Sequence, residues 1–193
     1  MTSSTDAVTR DWQGLTIPTA GTYVLDAAHA RVGFVARHMM VSKVRGEFTE
    51  AAATITIAED PLQSSVTATM QASSINTAQA DRDAHLCSPE FLDSEQFPTV
   101  EYRSTGVKSQ DGNEFVLLGE LTIKGVTRQV ELDVQFEGVG RSPFGQDIFG
   151  FSASTEIDRE EFGLTWNVAL ETGGVLVSRK IKIEIEGEAI RQA

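Results

Sequence analysis

The sequence predicts an all-β protein of about eight antiparallel strands, and three observations support this class. Apolar and polar residues alternate along much of the chain, most clearly in VELDVQF (130–136), where the even positions are apolar. A pattern of period two gives a strand one dry face and one wet face. Tight-turn signals separate the alternating runs, and one stretch alone, at about 78–94, has helical character. The chain therefore reads as a meander with a single helical insertion.

Strands that each carry one apolar face must hide that face against other strands. Two packed sheets would do so, and so would one sheet closed into a barrel. Several of the runs reach about ten residues, which is longer than the usual strand of about five or six and favours the barrel. Eight strands leave an interior able to hold one small ligand. Periodicity alone leaves the sandwich open.

The N-terminal residues form the first predicted segment. Residues 1–18 are polar and end at Pro18, so we expect a loosely ordered arm followed by one domain over 19–193. Within that domain, alternation predicts strands at about 22–27, 31–38, 46–57, 64–72, 98–107, 114–123, 130–136, 147–157 and 175–186.

Two turns fix the predicted pairing in the middle of the chain. Lys124-Gly125 predicts a two-residue hairpin loop, which sets Ile123 opposite Val126. The segment 111–113 (Asp-Gly-Asn) predicts the turn before it. Further pairs follow by subtraction and are Gly119–Val130, Leu117–Leu132, Phe115–Val134 and Leu121–Arg128, of which the last alone sets a charge opposite an apolar side chain.

The helical insertion lies between two predicted strands. Thr77 is expected to cap a first helix over about 78–87, and Ser88-Pro89 predicts a second short helix with serine at the N-cap. Pro98 then returns the chain to an extended conformation. We expect this excursion to lie across an end or a flank of the barrel.

Composition excludes several functional classes. A net charge of −12 argues against nucleic acid as a partner. The chain is 40% hydrophobic without a long apolar run, which predicts no membrane-spanning segment. The single cysteine, Cys87, and an N-terminus without a basic and then apolar signal together predict a cytoplasmic protein. An exposed barrel edge or flank could support a homodimer.

The three histidines, His29, His38 and His85, are candidates for catalytic chemistry. Together they could hold a catalytic zinc ion, which would make the protein a metal-assisted enzyme acting on a lipid or quinone. They come from separate segments, so three unrelated hydrogen-bonded histidines are the simpler interpretation. His85 and Cys87 diverge on a helix at their spacing of two, and the carboxylates of DREEFG (158–163) suggest surface and capping roles. We therefore expect no catalysis and no cofactor.

Large apolar side chains spread along the chain could line a ligand pocket or fill a packed core. Arg82 and His85 share a helix face, so they could meet a polar head group or tie the insertion to the barrel. We add His38 to this head-group or cap set. The apolar pocket candidates are Phe34, Met40, Val41, Ile75, Phe91, Phe97, Phe115, Phe151 and Trp166.

Four long stretches, taken in order, match a known family pattern. They are YVLDAAHARVGFVARHMMVSKVRGEF (23–48), SSINTAQADRDAHLCSPEFLDSEQFPTVEYRST (73–105), GELTIKGVTRQVEL (119–132) and IDREEFGLTWN (157–167). On these residues the chain resembles the YceI-like family of polyisoprenoid-binding proteins. It departs from the pattern at Ala30, where serine is common, and at Phe144, where tryptophan is frequent.

This resemblance implies an eight-stranded antiparallel, lipocalin-like β-barrel with a hydrophobic interior. The implied ligand is a long-chain isoprenoid or a similar amphiphilic lipid, held for carriage, storage or sequestration without catalysis. A stress-response protein whose barrel is filled by its own side chains is the remaining alternative.

Overall fold

Residues 8–193, the part of the chain that the computed structural model describes, form thirteen strands and one α-helix. The strands are β1 (Thr9–Trp12), β2 (Leu15–Pro18), β3 (Gly21–Leu25), β4 (Arg31–His38), β5 (Ser42–Phe48), β6 (Ala51–Ile57), β7 (Ser65–Gln71), β8 (Ile75–Asn76), β9 (Thr99–Asp111), β10 (Glu114–Ile123), β11 (Val126–Arg141), β12 (Asp147–Asp158) and β13 (Lys180–Arg191), and the helix is α1 (Ala80–Cys87).

The sheet closes on itself as an antiparallel barrel. Strand β13 pairs with β12 along one side and with both β3 and β4 along the other, which joins the two ends of the sheet. Three of the eight positions around the barrel are filled by two strands in line, namely β3 with β4, β5 with β6, and β7 with β8. The prediction of an eight-stranded antiparallel barrel with a helical insertion is confirmed, and the sandwich is wrong.

The hairpin of β10 and β11 has the predicted register. Ile123 pairs with Val126, and the pairs Gly119–Val130, Leu117–Leu132, Phe115–Val134 and Leu121–Arg128 all follow. Lys124 and Gly125 have φ of 50° and 73°, as expected for the two central residues of a type I′ turn. The turn at 112–113 joins β9 to β10 as predicted.

The last strand begins later than predicted. It starts at Lys180 rather than near 175, and a loop covers 164–179, with Val175 and Val177 in isolated bridges only. Two physical causes are visible. Gly173 and Gly174 have positive φ and turn the chain, and the guanidinium of Arg159 binds backbone carbonyls that a ladder would need.

The helical insertion is shorter than predicted. Helix α1 begins at Ala80, and the side chain of Gln79, not that of Thr77, caps it by accepting from the backbone N–H of Arg82. The second helix predicted from Ser88-Pro89 does not form, and turns occupy 88–97. The carbonyls of the last helical turn accept hydrogen bonds from residues after Ser88, so the chain folds back instead of starting a new helix.

The prediction of a loosely ordered arm over residues 1–18 is wrong for residues 9–18. Residues 1–7 lie outside the described residues. Strands β1 and β2 form a hairpin whose Ile17 is buried. Arg10 ties the hairpin to the barrel by donating to the carbonyl oxygen of Glu59 at 2.5 Å and to that of Ala58. Residues 9–18 form this hairpin because their apolar side chains pack on a surface of the barrel that sequence periodicity could not reveal.

Each end of the barrel is covered by a different segment. We call the end that carries α1 and the turns at 39–41 and 124–125 the helical end. We call the other end, with the turns at 112–113 and 142–146, the hairpin end. There Trp12 of β1 stacks on Phe115 with ring centroids 6.4 Å apart. Across residues 8–193, no helix has the length and apolar character required to cross a membrane.

Candidate functional site

The interior of the barrel is an apolar cavity of about 390 Å³. This volume falls in the range of about 300–1,000 Å³ that is typical of small-molecule sites. Alternation along the strands builds the cavity, since one side of each strand faces inward. On β13, Ile181, Ile183 and Ile185 line it, while Lys182 on the opposite face is exposed. An apolar molecule can therefore enter the interior without displacing the charged side chains of the strands, which face outward.

Five of the predicted pocket residues do line this cavity. They are Phe34, Ile75, Phe91, Phe115 and Phe151. Phe34 and Phe115 come from strands on different sides of the barrel, and Phe91 covers the helical end. Their contact with a ligand stays a prediction.

Met40 and Val41 do not line the cavity, so this part of the prediction is wrong. They lie in the three-residue loop between β4 and β5, where Met40 is 54% and Val41 is 85% exposed. The alternation of β4 ends at His38, and the loop beyond it projects past the rim of the barrel.

Phe97 and Trp166 also lie outside the set of cavity-lining residues. Phe97 lies against the turn residue Gly125, where a Cβ would come within 2.8 Å of its ring. Trp166 belongs to the loop after β12 and contacts Phe91, with ring centroids 5.4 Å apart. Both belong to the outer layer of the helical end, because neither is in a strand that faces inward.

The predicted head-group and cap residues hold the helical end together. His85 lies edge-on to Trp166, with centroids 4.6 Å apart, and its Nε2 is 2.6 Å from Glu90 Oε2. Arg82 donates from Nε to the hydroxyl of Thr77 at 2.7 Å and from Nη2 to the Thr77 carbonyl at 2.9 Å. These contacts fit a role in holding the cap, and a head-group role for either residue stays a prediction. The third member of the set, His38, ends β4 and bridges to the loop at Val177.

The three histidines are not brought together. His29 precedes β4 and His38 is its last residue, so a strand of eight residues, at about 3.3 Å per residue, separates them, and His85 lies on α1. The zinc ligand set that the enzyme alternative requires is therefore wrong. Within residues 8–193, the one group with three candidate ligand atoms close together is Asp26, His29 and Glu188.

This group is arranged as a surface ion pair. Nδ1 of His29 lies 2.8 Å from the Asp26 carboxylate and 4.0 Å from that of Glu188. The hydrogen bond with Asp26, aided by the charges of Asp26 and Glu188, raises the pKa of His29, and the same bond lowers the pKa of Asp26. The raised pKa widens the pH range over which His29 is protonated, and a protonated ring nitrogen cannot ligate a metal.

Tyr102 places a polar atom inside the cavity. Its ring lies over Gly119 of the neighbouring strand, where a Cβ would clash with it. The hydroxyl is buried and has no hydrogen-bond partner within the described part of the chain, and burial raises the pKa of Tyr102 to about 12. A glycine on the inward face of a strand often marks the close approach of another group. Gly119 was therefore the residue from which the sequence could have predicted a large side chain, here that of Tyr102, at this position.

Arg159 places a buried cation at the helical end of the cavity wall. It is 4% exposed and donates to the carbonyls of Ser178 at 2.9 Å and Trp166 at 3.0 Å, and also to that of Leu164. Burial lowers the pKa of the guanidinium, which nevertheless stays charged. Asp158 before it caps the turn at Glu160 as predicted, but both 158 and 159 are buried rather than on the surface.

Comparisons with known proteins identify the family. A family model described as the YceI-like domain matches residues 23–189. A UPF0312 protein of Staphylococcus aureus strain USA300 is 36% identical over 168 residues, which is 86% of this chain and 95% of that protein, and one of strain N315 matches to the same extent.

Solved structures agree in fold. Burkholderia cenocepacia BcnA has a TM-score of 0.73 at 20% identity and covers 85% of this chain and 98% of its own. A Campylobacter jejuni YCEI protein has a TM-score of 0.70 at 26% identity, covering 81% and 90%. A polyisoprenoid binding domain from Saccharophagus degradans has a TM-score of 0.67 at 9% identity, covering 90% and 100%. Because the family model matches the chain from β3 to β13, this chain belongs to the YceI-like family.

Proposed function

We propose that the barrel binds a long-chain isoprenoid or a similar amphiphilic lipid, as a carrier, a store or a sequestering protein. The observation that carries this proposal is the apolar cavity of about 390 Å³ inside the closed sheet. The Saccharophagus degradans domain, named for polyisoprenoid binding, has the same fold. A barrel filled by its own side chains is the alternative that this cavity disfavours.

Burial of a hydrocarbon chain supplies the binding energy. Each methylene group moved from water into the cavity contributes about 0.8 kcal/mol. Because most of the lining is made of aliphatic and aromatic side chains, it offers affinity for any chain that fits and little discrimination among chains. Selectivity must then come from the polar part of the ligand.

The polar atoms at the cavity wall indicate where that part would lie. The Tyr102 hydroxyl and the Arg159 guanidinium both belong to the half of the barrel next to the helical end. Tyr102 offers a hydrogen bond that the protein leaves unused, and Arg159 favours an anionic or strongly polar group nearby. We therefore infer that the ligand enters tail first, with its polar end toward α1.

We infer binding without catalysis. His85 is engaged by Glu90 and two aromatic rings, and the Cys87 thiol lies 4.0 Å from the Ala72 carbonyl oxygen. The His85 ring is therefore not positioned to act as a base for the Cys87 thiol. The cytoplasmic location and the homodimer stay predictions.

Filling the cavity tests this function. Ala68 of β7 lines the cavity, whereas the neighbouring Thr67 is exposed on the outer face. Ala68→Trp should weaken binding of a fluorescent prenol at least tenfold, while Thr67→Trp, which adds the same side chain outside, should leave it unchanged. Organic extracts of the purified protein, analysed by mass spectrometry, should contain a lipid that the Ala68→Trp variant lacks. Equal binding by both variants, each melting cooperatively, would contradict the proposal.

A further inference from the structure

An exposed apolar tip projects from the helical end. It consists of Met39–Val41, the loop between β4 and β5, in which the three residues are 43%, 54% and 85% exposed. Met39 and Met40 both adopt positive φ, which reverses the chain within the three residues between His38 and Ser42. We call this loop the apolar tip.

A second segment supports the apolar tip at the same end. The backbone N–H of Met39 donates to the Leu176 carbonyl at 2.8 Å, and the N–H of Leu176 donates to the Val168 carbonyl at 2.9 Å. Val168 is itself 45% exposed. The two loops therefore present apolar side chains together instead of covering each other.

Basic residues lie on the strands next to the apolar tip, although the protein as a whole is acidic. The chain carries a net charge of −12, yet residues 31–46 contain four basic residues and no acidic one. Arg37, Lys43 and Arg45 are exposed on the outer faces of β4 and β5, and Lys180 is exposed at the start of β13. We call these four residues the basic collar.

The basic collar makes no direct ion pair in residues 8–193, although Arg45 and Lys180 lie close enough to Glu184 and Asp158 to attract them. Arg37 and Lys43 face each other directly across the β4–β5 ladder, an arrangement of like charges that destabilises a sheet. The carboxylates of the same sheet region are engaged elsewhere, Glu47 by Arg31 and Glu184 by Lys182. The collar is thus available to an anionic partner.

We propose that the helical end docks on an anionic lipid surface, with the apolar tip inserted among the lipids and the basic collar against their head groups. Membrane association of this type combines shallow apolar burial with attraction to anionic lipid, and two weak signals of this kind give reversible binding. A nucleic acid partner would match the collar but leave three apolar side chains unused. The docking surface does not depend on what the barrel holds, although it would bring the cap over the cavity to the membrane.

Co-sedimentation with lipid vesicles tests the docking surface. The protein should partition onto vesicles that contain phosphatidylglycerol, bind pure phosphatidylcholine vesicles weakly, and be released by salt. The double variant Lys43→Gln with Arg45→Gln should lose about 25-fold in partition, at about fivefold for each charge near the surface. Met40→Ser with Val41→Ser should also lose partition, by about tenfold for two exposed apolar side chains.

Two matched controls lie far from the helical end. Phe144, at the hairpin end, is 89% exposed, and Lys108 is an exposed lysine that pairs with Glu131. Phe144→Ser and Lys108→Gln should partition like the parent protein. The proposal is overturned if the parent does not bind anionic vesicles, if the controls lose as much as the tip and collar variants, or if the collar variant alone weakens binding, which indicates adsorption to any anionic surface.

The test is separate from that of the cavity. Ala68→Trp should bind vesicles normally even where it no longer binds a prenol, because the tip and the collar are unchanged. Loss of docking in that variant, with its melting temperature kept, would show that vesicle binding depends on the cavity and would overturn an independent docking surface.

Discussion

Each side chain of β11 faces either the cavity or the solvent, and this decides the cost of a charge at its position. Val134 lines the cavity, while Asp133 beside it is exposed. Val134→Asp should destabilise the protein by about 3 kcal/mol or more, because it places an unpaired charge in an apolar interior. Asp133→Val should change stability by less than about 1 kcal/mol. Urea denaturation midpoints measure both; a larger shift for Asp133→Val would show that the strand faces the other way, and equal shifts would show that the two faces do not differ in burial.

The buried hydroxyl of Tyr102 has a measurable cost in the free protein. An unpaired buried hydroxyl costs about 1–3 kcal/mol, so Tyr102→Phe should raise the stability of ligand-free protein by about 1 kcal/mol. Tyr23→Phe is the matched control, since the Tyr23 hydroxyl donates to the Thr19 carbonyl at 2.9 Å and its loss should destabilise. If the ligand's polar group uses Tyr102, the Phe variant also binds a prenol less tightly than the parent does, but binds a plain hydrocarbon equally well. Destabilisation by both substitutions would show that Tyr102 is already satisfied.

The ion pair of His29 predicts a pH dependence with a definite sign. The Asp26 carboxylate raises the pKa of His29 in the folded protein above its ordinary value of about 6.5. The pair therefore contributes stability that is fully present below about pH 6.5 and is lost as the pH rises through the folded pKa. NMR titration should find His29 above its ordinary value and Asp26→Asn should lower it. An unshifted titration in the parent would mean that the pair does not persist in solution.

At the scale of elements, the sequence predicts turns that depend on neighbouring residues. It does not predict where a residue distant in sequence captures the hydrogen bonds of a segment. Lys124-Gly125 determined the register of two long strands because the turn geometry depends on those two residues alone. Ser88-Pro89 is an equally good local signal for a helix, yet carbonyls of α1 capture the following N–H groups and a turn forms instead. The strand expected near 175 fails for the same reason, since Arg159 binds carbonyls in that segment. Hydrogen bonds to partners distant in sequence do not produce a pattern of apolar and polar residues, so the sequence cannot predict them.

The predicted pocket residues that lie in strands line the cavity, whereas those in the loop after β4 do not. Phe34 and Phe115 lie within alternating strands, so alternation could place them inward. Met40 lies one loop beyond its strand, where alternation no longer applies. Arg159 was hidden in a stretch whose carboxylates suggested a surface turn, because burial of a cation on backbone carbonyls has no sequence pattern.

The N-terminal hairpin is an element whose removal should open one end of the barrel. Ile17 is 5% exposed and lines the cavity, whereas the adjacent Thr16 is exposed. Ile17→Asp should weaken docking of the hairpin by about 2 kcal/mol or more, the value of a buried aliphatic side chain. Faster proteolysis before residue 19 and faster ligand release should follow, with little change in the melting of the barrel itself. Thr16→Asp should behave like the parent, and identical proteolysis of the two variants would show that the hairpin does not close this end.

At the scale of the whole molecule, the basic collar and the apolar tip lie at the helical end, the same end as the cap over the cavity. The polar atoms of Tyr102 and Arg159 lie toward that same end. An amphiphile bound with its head toward α1 and a membrane contacted through the same end are therefore compatible, since both place polar and charged groups at one rim.

Binding inside the barrel should also be visible in the stability of the whole protein. A ligand that binds only the folded state at about 100 times its Kd adds about 2.7 kcal/mol to the free energy of unfolding. For a domain of this size, that corresponds to a rise in Tm of about 5–10 °C, at about 2–4 °C per kcal/mol. Removal of copurified lipid should lower Tm, and addition of a prenol should restore it. Ala68→Trp, whose added ring occupies the cavity, should show neither shift, while Thr67→Trp should show both. If the delipidated parent melts at the same temperature with and without the prenol, the cavity does not take up that ligand, and the barrel is stable without an occupant.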